Sequence, residues 1–187
     1  MRYKNQNLIK YLNDLSAKLA APGGGSAAAL NAAMGASLIS MVVNFTLGKP
    51  KYFAFELSLK KTLAKSEKLK NDFLELVDLD VAAYNSKDAR KALDVSLVLA
   101  RLCCAGSKLC PQLIKEGNVN LISDVGAAAV FLESAFICAC FNARVNLKSL
   151  ADIKLTAKVS KELNQMYKIV RKIRKDTEDS VGKIIRG

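Results

Sequence analysis

The twenty-one residues from Ala27 to Leu47 carry no charged side chain. A segment this apolar must be buried around most of its circumference, in a protein core or in a bilayer, and it is long enough to cross one. Its few polar residues argue for the core. At about 100° per residue, Ser26, Ser37, Ser40 and Asn44 share one narrow sector with Ala33 between them. Asn31 and Gly35 form a second small-residue patch one turn apart. A helix coated with Ala, Gly, Ser and Asn suits close helix–helix packing, so the chain is expected to be built around a buried central helix, with no membrane partner.

The rest of the sequence extends that expectation. Its 187 residues fit one domain, 1–187, with a sizeable core. With only three prolines and ten glycines the chain has few breakers, and 6% aromatics leave the core to aliphatic side chains. No stretch alternates with period two, which predicts an all-α bundle of about six helices, some of them long, and no sheet.

Taken in order, Leu8, Ile9, Leu12, Leu15 and Leu19 predict a first amphipathic helix over residues 5–20, with these side chains inward. Pro22 and the glycines end it. A third helix runs from Phe53 or Glu56 to about Ser86, with Leu59, Leu63, Leu69, Phe73, Leu76, Leu79 and Val81 as core positions. A fourth, 88–116, buries Leu97, Leu99, Ala100, Cys103 and Cys104 and is kinked or split at Pro111. A fifth starts at a cap provided by Ser123 or Asp124 and ends near Asn142, Arg144 and Asn146. The last, from Leu150 or Asp152 to about Val181, turns Leu155, Val159, Leu163, Met166, Ile169, Val170 and Ile173 inward.

Ahead of the central helix stands Ala21-Pro22-Gly23-Gly24-Gly25-Ser26. Glycines can bring backbone N–H groups against a ligand because no Cβ blocks the approach. A glycine turn opening a helix, with Ser26 as N-cap, is a ready anion site. The same residues can equally make no more than a tight turn between packed helices. Asp80 and Tyr84 lie one turn apart and can point into one cleft, although Asp80 also reads as one more surface acid beside Asp72, Glu75 and Asp78. Glu133 is the sole charge between Val125 and Ala143, which suggests a structural ion pair.

Charge and composition narrow the chemistry. A net charge of +12 favours anionic partners: nucleic acid, a membrane surface or a polyanionic small molecule. Half of that surplus falls after Leu147, so a non-catalytic basic helical module binding nucleic acid or membrane is an alternative reading. Only Tyr167 in that tail could stack on a base, which makes nucleic acid the weaker partner. The chain has no histidine, so proton transfer falls to Asp, Glu, Tyr, Lys, Cys or water. Five cysteines without a CxxC spacing suggest neither a zinc site nor a disulfide framework, and no metal is expected. The polar, basic start after Met1 lacks a signal region, and a cytoplasmic location is expected.

Five motifs occur together: Pro22 to Ser26; Gly48-Lys49 with Tyr52; Asp80 with Tyr84; Gly117-Asn118-Val119-Asn120-Leu121-Ile122-Ser123-Asp124-Val125-Gly126; and Asn142-Ala143-Arg144-Val145-Asn146-Leu147. In this order, over nearly the whole chain, the sequence resembles the cyclodeaminase/cyclohydrolase family of folate enzymes. The resemblance implies an all-α homodimer with folate, possibly polyglutamylated, beside the glycine turn, and no prosthetic group. It implies formimidoyltetrahydrofolate cyclodeaminase activity, with methenyltetrahydrofolate cyclohydrolase as the alternative. Asp80 and Asp124 are then the candidate proton carriers. Gly23, Gly24, Gly25, Ser26, Tyr84, Asn120, Ser123, Asn142 and Asn146 are the candidate substrate contacts. Two departures stand out: no proline near Val95-Ser96, and an unmatched Leu57-Ser58-Leu59.

Overall fold

The computed structural model describes residues 2–187. Seven α-helices follow one another: α1 (Leu8–Ser16), α2 (Gly24–Asn44), α3 (Glu56–Asn85), α4 (Ala89–Ser107), α5 (Cys110–Glu116), α6 (Ile122–Leu150) and α7 (Ile153–Arg186). Short 3-10 turns at Tyr3–Asn5, Pro50–Phe55 and Val119–Leu121 complete the order, and no strand occurs among the described residues. The expected fourth helix is split at Pro111 into α4 and α5. Proline at the start of α5 removes an N–H that the first turn of a helix does not need.

The uncharged segment is the centre of the bundle. α2 packs between α3 and α6, with Ala29, Ala32, Ala36, Ile39, Val42 and Val43 fully buried. The small patch sets the approach of α6: a Cβ on Gly35 would stand 3.1 Å from Leu132 Cγ and 3.3 Å from the Ala128 carbonyl. One turn earlier, the Asn31 amide donates to the Phe131 carbonyl at 3.1 Å and to Ser134 Oγ at 2.7 Å. Toward α3, the Ser40 and Ser66 hydroxyls meet at 2.8 Å inside the core. The polar groups that argued against a bilayer thus bind α2 to both of its neighbours.

Around this centre, α4 packs on α3 and α6, and α7 lies along α6. Glu133 is paired as its isolation suggested: Arg174 Nε donates to it at 2.8 Å, and the same guanidinium also pairs with Glu178. All five cysteines are free thiols, and burial pushes Cys110 up to about 12. Both departures noted above are accommodated. α4 runs unbroken past Val95, Leu59 is fully buried, and Ser58 Oγ donates to Glu116 at 2.7 Å.

Several expectations fail at helix ends and surfaces. α1 is half the predicted length, and Leu8, Ile9, Leu12 and Leu19 are exposed. Its inward place is taken by Tyr11, whose ring meets the Tyr3 ring edge-on at 5.4 Å. Leu79 and Ile169 also face out. α6 begins at Ile122 behind Leu121, so neither Ser123 nor Asp124 caps it, and it continues to Leu150 instead of stopping near Asn142. It stops there because Ala151 turns left-handed, with φ 51°, and Asp152 caps α7 by accepting the Leu155 N–H.

The α2–α6 contact at Gly35 predicts that Gly35→Val overpacks the bundle. A loss of about 1–3 kcal/mol, or roughly 3–10 °C in Tm, is expected by thermal unfolding. An unchanged Tm would mean that this approach is not tight.

Candidate active site

The glycine turn and Asp80 meet directly. Gly23 is extended and forms the N-cap, with no side-chain cap bond, and α2 starts at Gly24. Ser26 is therefore inside the first turn and not the cap, because the chain becomes helical three residues earlier than its hydroxyl suggests. The N–H groups of this first turn have no acceptor within the helix. The Ser26 N–H lies on the side of the turn that faces Asp80 of α3 and favours the charged form of that carboxyl. That approach requires glycine at only one of the three positions. A Cβ on Gly23 or Gly24 would meet nothing within 4 Å, whereas one on Gly25 would stand 2.6 Å from Asp80 Cγ and 2.8 Å from Oδ2.

Two effects compete at Asp80. Burial disfavours its charged form, and the Ser26 N–H favours it; burial dominates, so the carboxyl is held above the usual aspartate range. Such a carboxyl can both give and take a proton nearer neutrality than a free aspartate.

Behind the turn lies a residue that the sequence reading missed. The Tyr11 hydroxyl and Ser26 Oγ are 3.1 Å apart, both buried. Burial raises the Tyr11 hydroxyl, the Ser26 hydrogen bond opposes that rise, and the negative charge of Asp80 adds to it. Tyr11 thus fixes the Ser26 side chain while the Ser26 backbone serves Asp80. The signal in the sequence was one tyrosine among leucines, and leucine periodicity pointed to the wrong face.

A cavity of about 240 Å³ opens in front of Asp80, lined by the three glycines, Asp80, Tyr84, Asn142 and Asn146. The two asparagines come from consecutive turns of α6, which is why that helix must run past them. Each amide offers both a donor and an acceptor to a planar heterocycle. Tyr84 is largely exposed and forms an outer wall. The structure thus gathers Gly23, Gly24, Gly25, Asp80, Tyr84, Asn142 and Asn146 around one space, with Ser26 directly beneath.

It does not gather the others there. Asp124 lies eighteen residues before Asn142 on the same helix, a separation of roughly 27 Å. Asn120, Ser123 and Asp124 therefore stand at the opposite end of α6 within the chain, and Asn120 and Ser123 are exposed. The motif around them does visible structural work through a neighbour. The Asn118 N–H donates to Thr46 Oγ1 at 2.9 Å, its side-chain amide reaches the Phe45 carbonyl at 3.4 Å, and its Oδ1 accepts the Asn120 N–H at 3.2 Å. The Val119 N–H donates to the Tyr52 hydroxyl at 3.3 Å. This clasp ties the end of α2 to the start of α6. No cluster of three or more potential metal-ligating residues occurs among the described residues.

Comparison with known proteins identifies the family of the chain. The sequence model of the formiminotransferase-cyclodeaminase family matches residues 7–88 and 86–165. A methenyltetrahydrofolate cyclohydrolase from Methylorubrum extorquens is 35% identical, over 85% of this chain and 88% of the relative. The formimidoyltransferase-cyclodeaminase of Rattus norvegicus is 28% identical over 78% of this chain, and the chain spans 31% of that longer protein. A crystal structure of formiminotetrahydrofolate cyclodeaminase from Thermotoga maritima superposes with a TM-score of 0.93 over 97% of this chain and 98% of that one; at 22% identity it speaks to the fold alone. By sequence, this chain belongs to the formiminotransferase-cyclodeaminase family, among folate-related cyclohydrolase and cyclodeaminase enzymes.

Proposed function

We propose that the chain acts on the one-carbon bridge between N5 and N10 of tetrahydrofolate, with Asp80 as proton carrier, and that water is its nucleophile, as in a methenyltetrahydrofolate cyclohydrolase. The observation that carries the reading is the half-buried Asp80 carboxyl, held above its ordinary range at the mouth of a cavity faced by two carboxamides. The preference for hydrolysis by water over ring closure with loss of ammonia rests on the 35% identity to a cyclohydrolase, which spans most of both chains.

In this scheme the pterin edge lies against Asn142 and Asn146, and the bridge carbon faces Asp80. Water adds to the amidinium carbon, and Asp80 takes its proton. The resulting tetrahedral carbon expels one of its two nitrogens as Asp80 returns the proton to that nitrogen. As the carbonyl forms, the remaining hydroxyl proton passes to the freed Asp80 carboxylate and on to solvent, so the cation and water become a neutral formyl product and one proton, and the absence of histidine from the chain is no obstacle. The N–H groups of Gly24 and Gly25, at the positive end of α2, are suited to the oxygen as it gains charge.

The second reading keeps the same pocket and reverses the logic of the leaving group. N10 attacks a formimino carbon on N5, Asp80 protonates the departing nitrogen, and ammonia leaves. The family description and the cyclodeaminase relatives favour it.

Separate incubation with methenyl- and formimino-tetrahydrofolate, followed by methenyl absorbance, distinguishes the two. Loss of absorbance from the first supports the cyclohydrolase, and a gain from the second supports the cyclodeaminase. For whichever substrate turns over, Asp80→Asn is expected to lower kcat by roughly a hundredfold or more with the fold intact; a normal kcat would remove Asp80 from the mechanism.

The raised carboxyl also predicts a pH dependence. The folded state holds the Asp80 proton more tightly than the unfolded state does, so wild-type stability falls relative to Asp80→Asn as pH rises from the ordinary aspartate value of 3.8 through the folded value. Urea unfolding of both proteins across that range checks the sign, and a difference independent of pH would contradict it.

A further inference from the structure

The Asp80 cavity is smaller than the roughly 300–1,000 Å³ that clefts for small molecules usually occupy. A second space of about 520 Å³ shares Ala20, Tyr84, Ala92 and Asn146 as walls with the first and extends to the corner between α3 and α4, where Lys87 lines it. A substrate longer than the inner cavity has this annexe to run into.

The corner is built around an unusual lysine. Lys87 adopts the left-handed conformation, φ 56°, that favours glycine and disfavours a residue with a Cβ. Its neighbours hold it there. The Lys87 N–H donates to the Tyr84 carbonyl at 3.1 Å, Ser86 Oγ donates to the Ala83 carbonyl at 2.7 Å, and the Asp88 N–H reaches Ser86 Oγ at 3.3 Å. The other cations of the corner are paired, Arg90 with Asp94 and Lys91 with Asp88. Among the described residues, no carboxylate lies within 4.0 Å of the Lys87 ammonium. Asp88, which also lines the space, caps α4 by accepting the Arg90 and Lys91 N–H groups, and these contacts hold its carboxyl below the usual range. Its charge is committed to the helix end, and that of Lys87 is not.

Resting on the folate reading above, we propose that Lys87 is a specificity-determining residue that holds a carboxylate of the substrate's glutamyl tail. The pterin occupies the inner cavity at Asp80, the aminobenzoyl ring passes Tyr84 and Asn146, and the tail lies in the annexe. This converts part of the basic chain's attraction for anions into one fixed contact, beyond long-range steering.

The test compares wild type, Lys87→Met and Lys87→Arg on two substrates: methenyltetrahydrofolate, and the same compound lacking glutamate, methenyltetrahydropteroate. Lys87→Met is expected to raise KM for the glutamylated substrate about tenfold with kcat unchanged, the pattern of lost uniform binding, and to leave KM for the truncated substrate as in wild type. Lys87→Arg, which keeps the charge, should restore most of the difference. Equal KM values for wild type and Lys87→Met on the glutamylated substrate would overturn the assignment. So would an equal loss on both substrates, which would mark Lys87 as merely structural. If wild type turns over neither substrate, the hydrolytic reading itself fails, and binding of the two compounds, measured calorimetrically with the same variants, decides the tail contact separately.

Discussion

The contact between the Asp80 carboxyl and the bare backbone of Gly25 governs the candidate site. It brings an acid from the C-terminal end of α3 against the first turn of α2, where the Ser26 N–H needs an acceptor. A helix N-terminus near a carboxylate favours its charged form by about 0.3–2 kcal/mol. Burial disfavours that form, and at Asp80 it wins. The outcome is a carboxyl that faces a helix N-terminus yet is inclined to keep its proton. Tyr11 completes the support from below by holding the Ser26 side chain in place.

The bundle delivers the remaining walls through the same small residues that make α2 apolar. Gly35 and Asn31 allow α6 to lie close along α2, and α6 continues far enough past that crossing to place Asn142 and Asn146 opposite Asp80. At the other end of α2, the clasp of Asn118 on Thr46 and Phe45 fixes where α6 begins. The length and register of α6 therefore couple a structural corner to a chemical one. Both motifs matter to the fold, and only one of them reaches the cavity within the chain.

Much of this was legible in the sequence. The uncharged run identified the central helix, the polar residues within it identified its packing faces, and the isolation of Glu133 identified an ion pair. The family resemblance, more than periodicity, named Asp80, Tyr84, the glycines and two asparagines of the cavity, but in one set with Asp124, Asn120 and Ser123, which lie at the other end of α6. What stayed hidden depended on tertiary choice. Tyr11 displaced the leucines of α1 because one buried phenol with a hydrogen-bond partner outweighs a short amphipathic stripe. Ser26 looked like a cap because capping is a local rule, whereas the turn before it was set by the approach of Asp80. Ser123 and Asp124 had cap chemistry, but the 3-10 turn at Val119–Leu121 runs straight into α6 and leaves no cap to fill. Lys87 carried no signal at all, since a left-handed lysine is visible only in the backbone.

The measurement closest to the centre of this account is turnover of the Gly25→Ala variant at saturating substrate, with its Tm alongside. The added methyl collides with the end of the Asp80 side chain and not with backbone, so the carboxyl can swing aside while the bundle stays folded. The account predicts a cooperative unfolding transition near that of wild type and a turnover reduced by roughly a hundredfold. A variant that folds and turns over like wild type would contradict it, because the proton carrier would then not depend on lying against bare backbone.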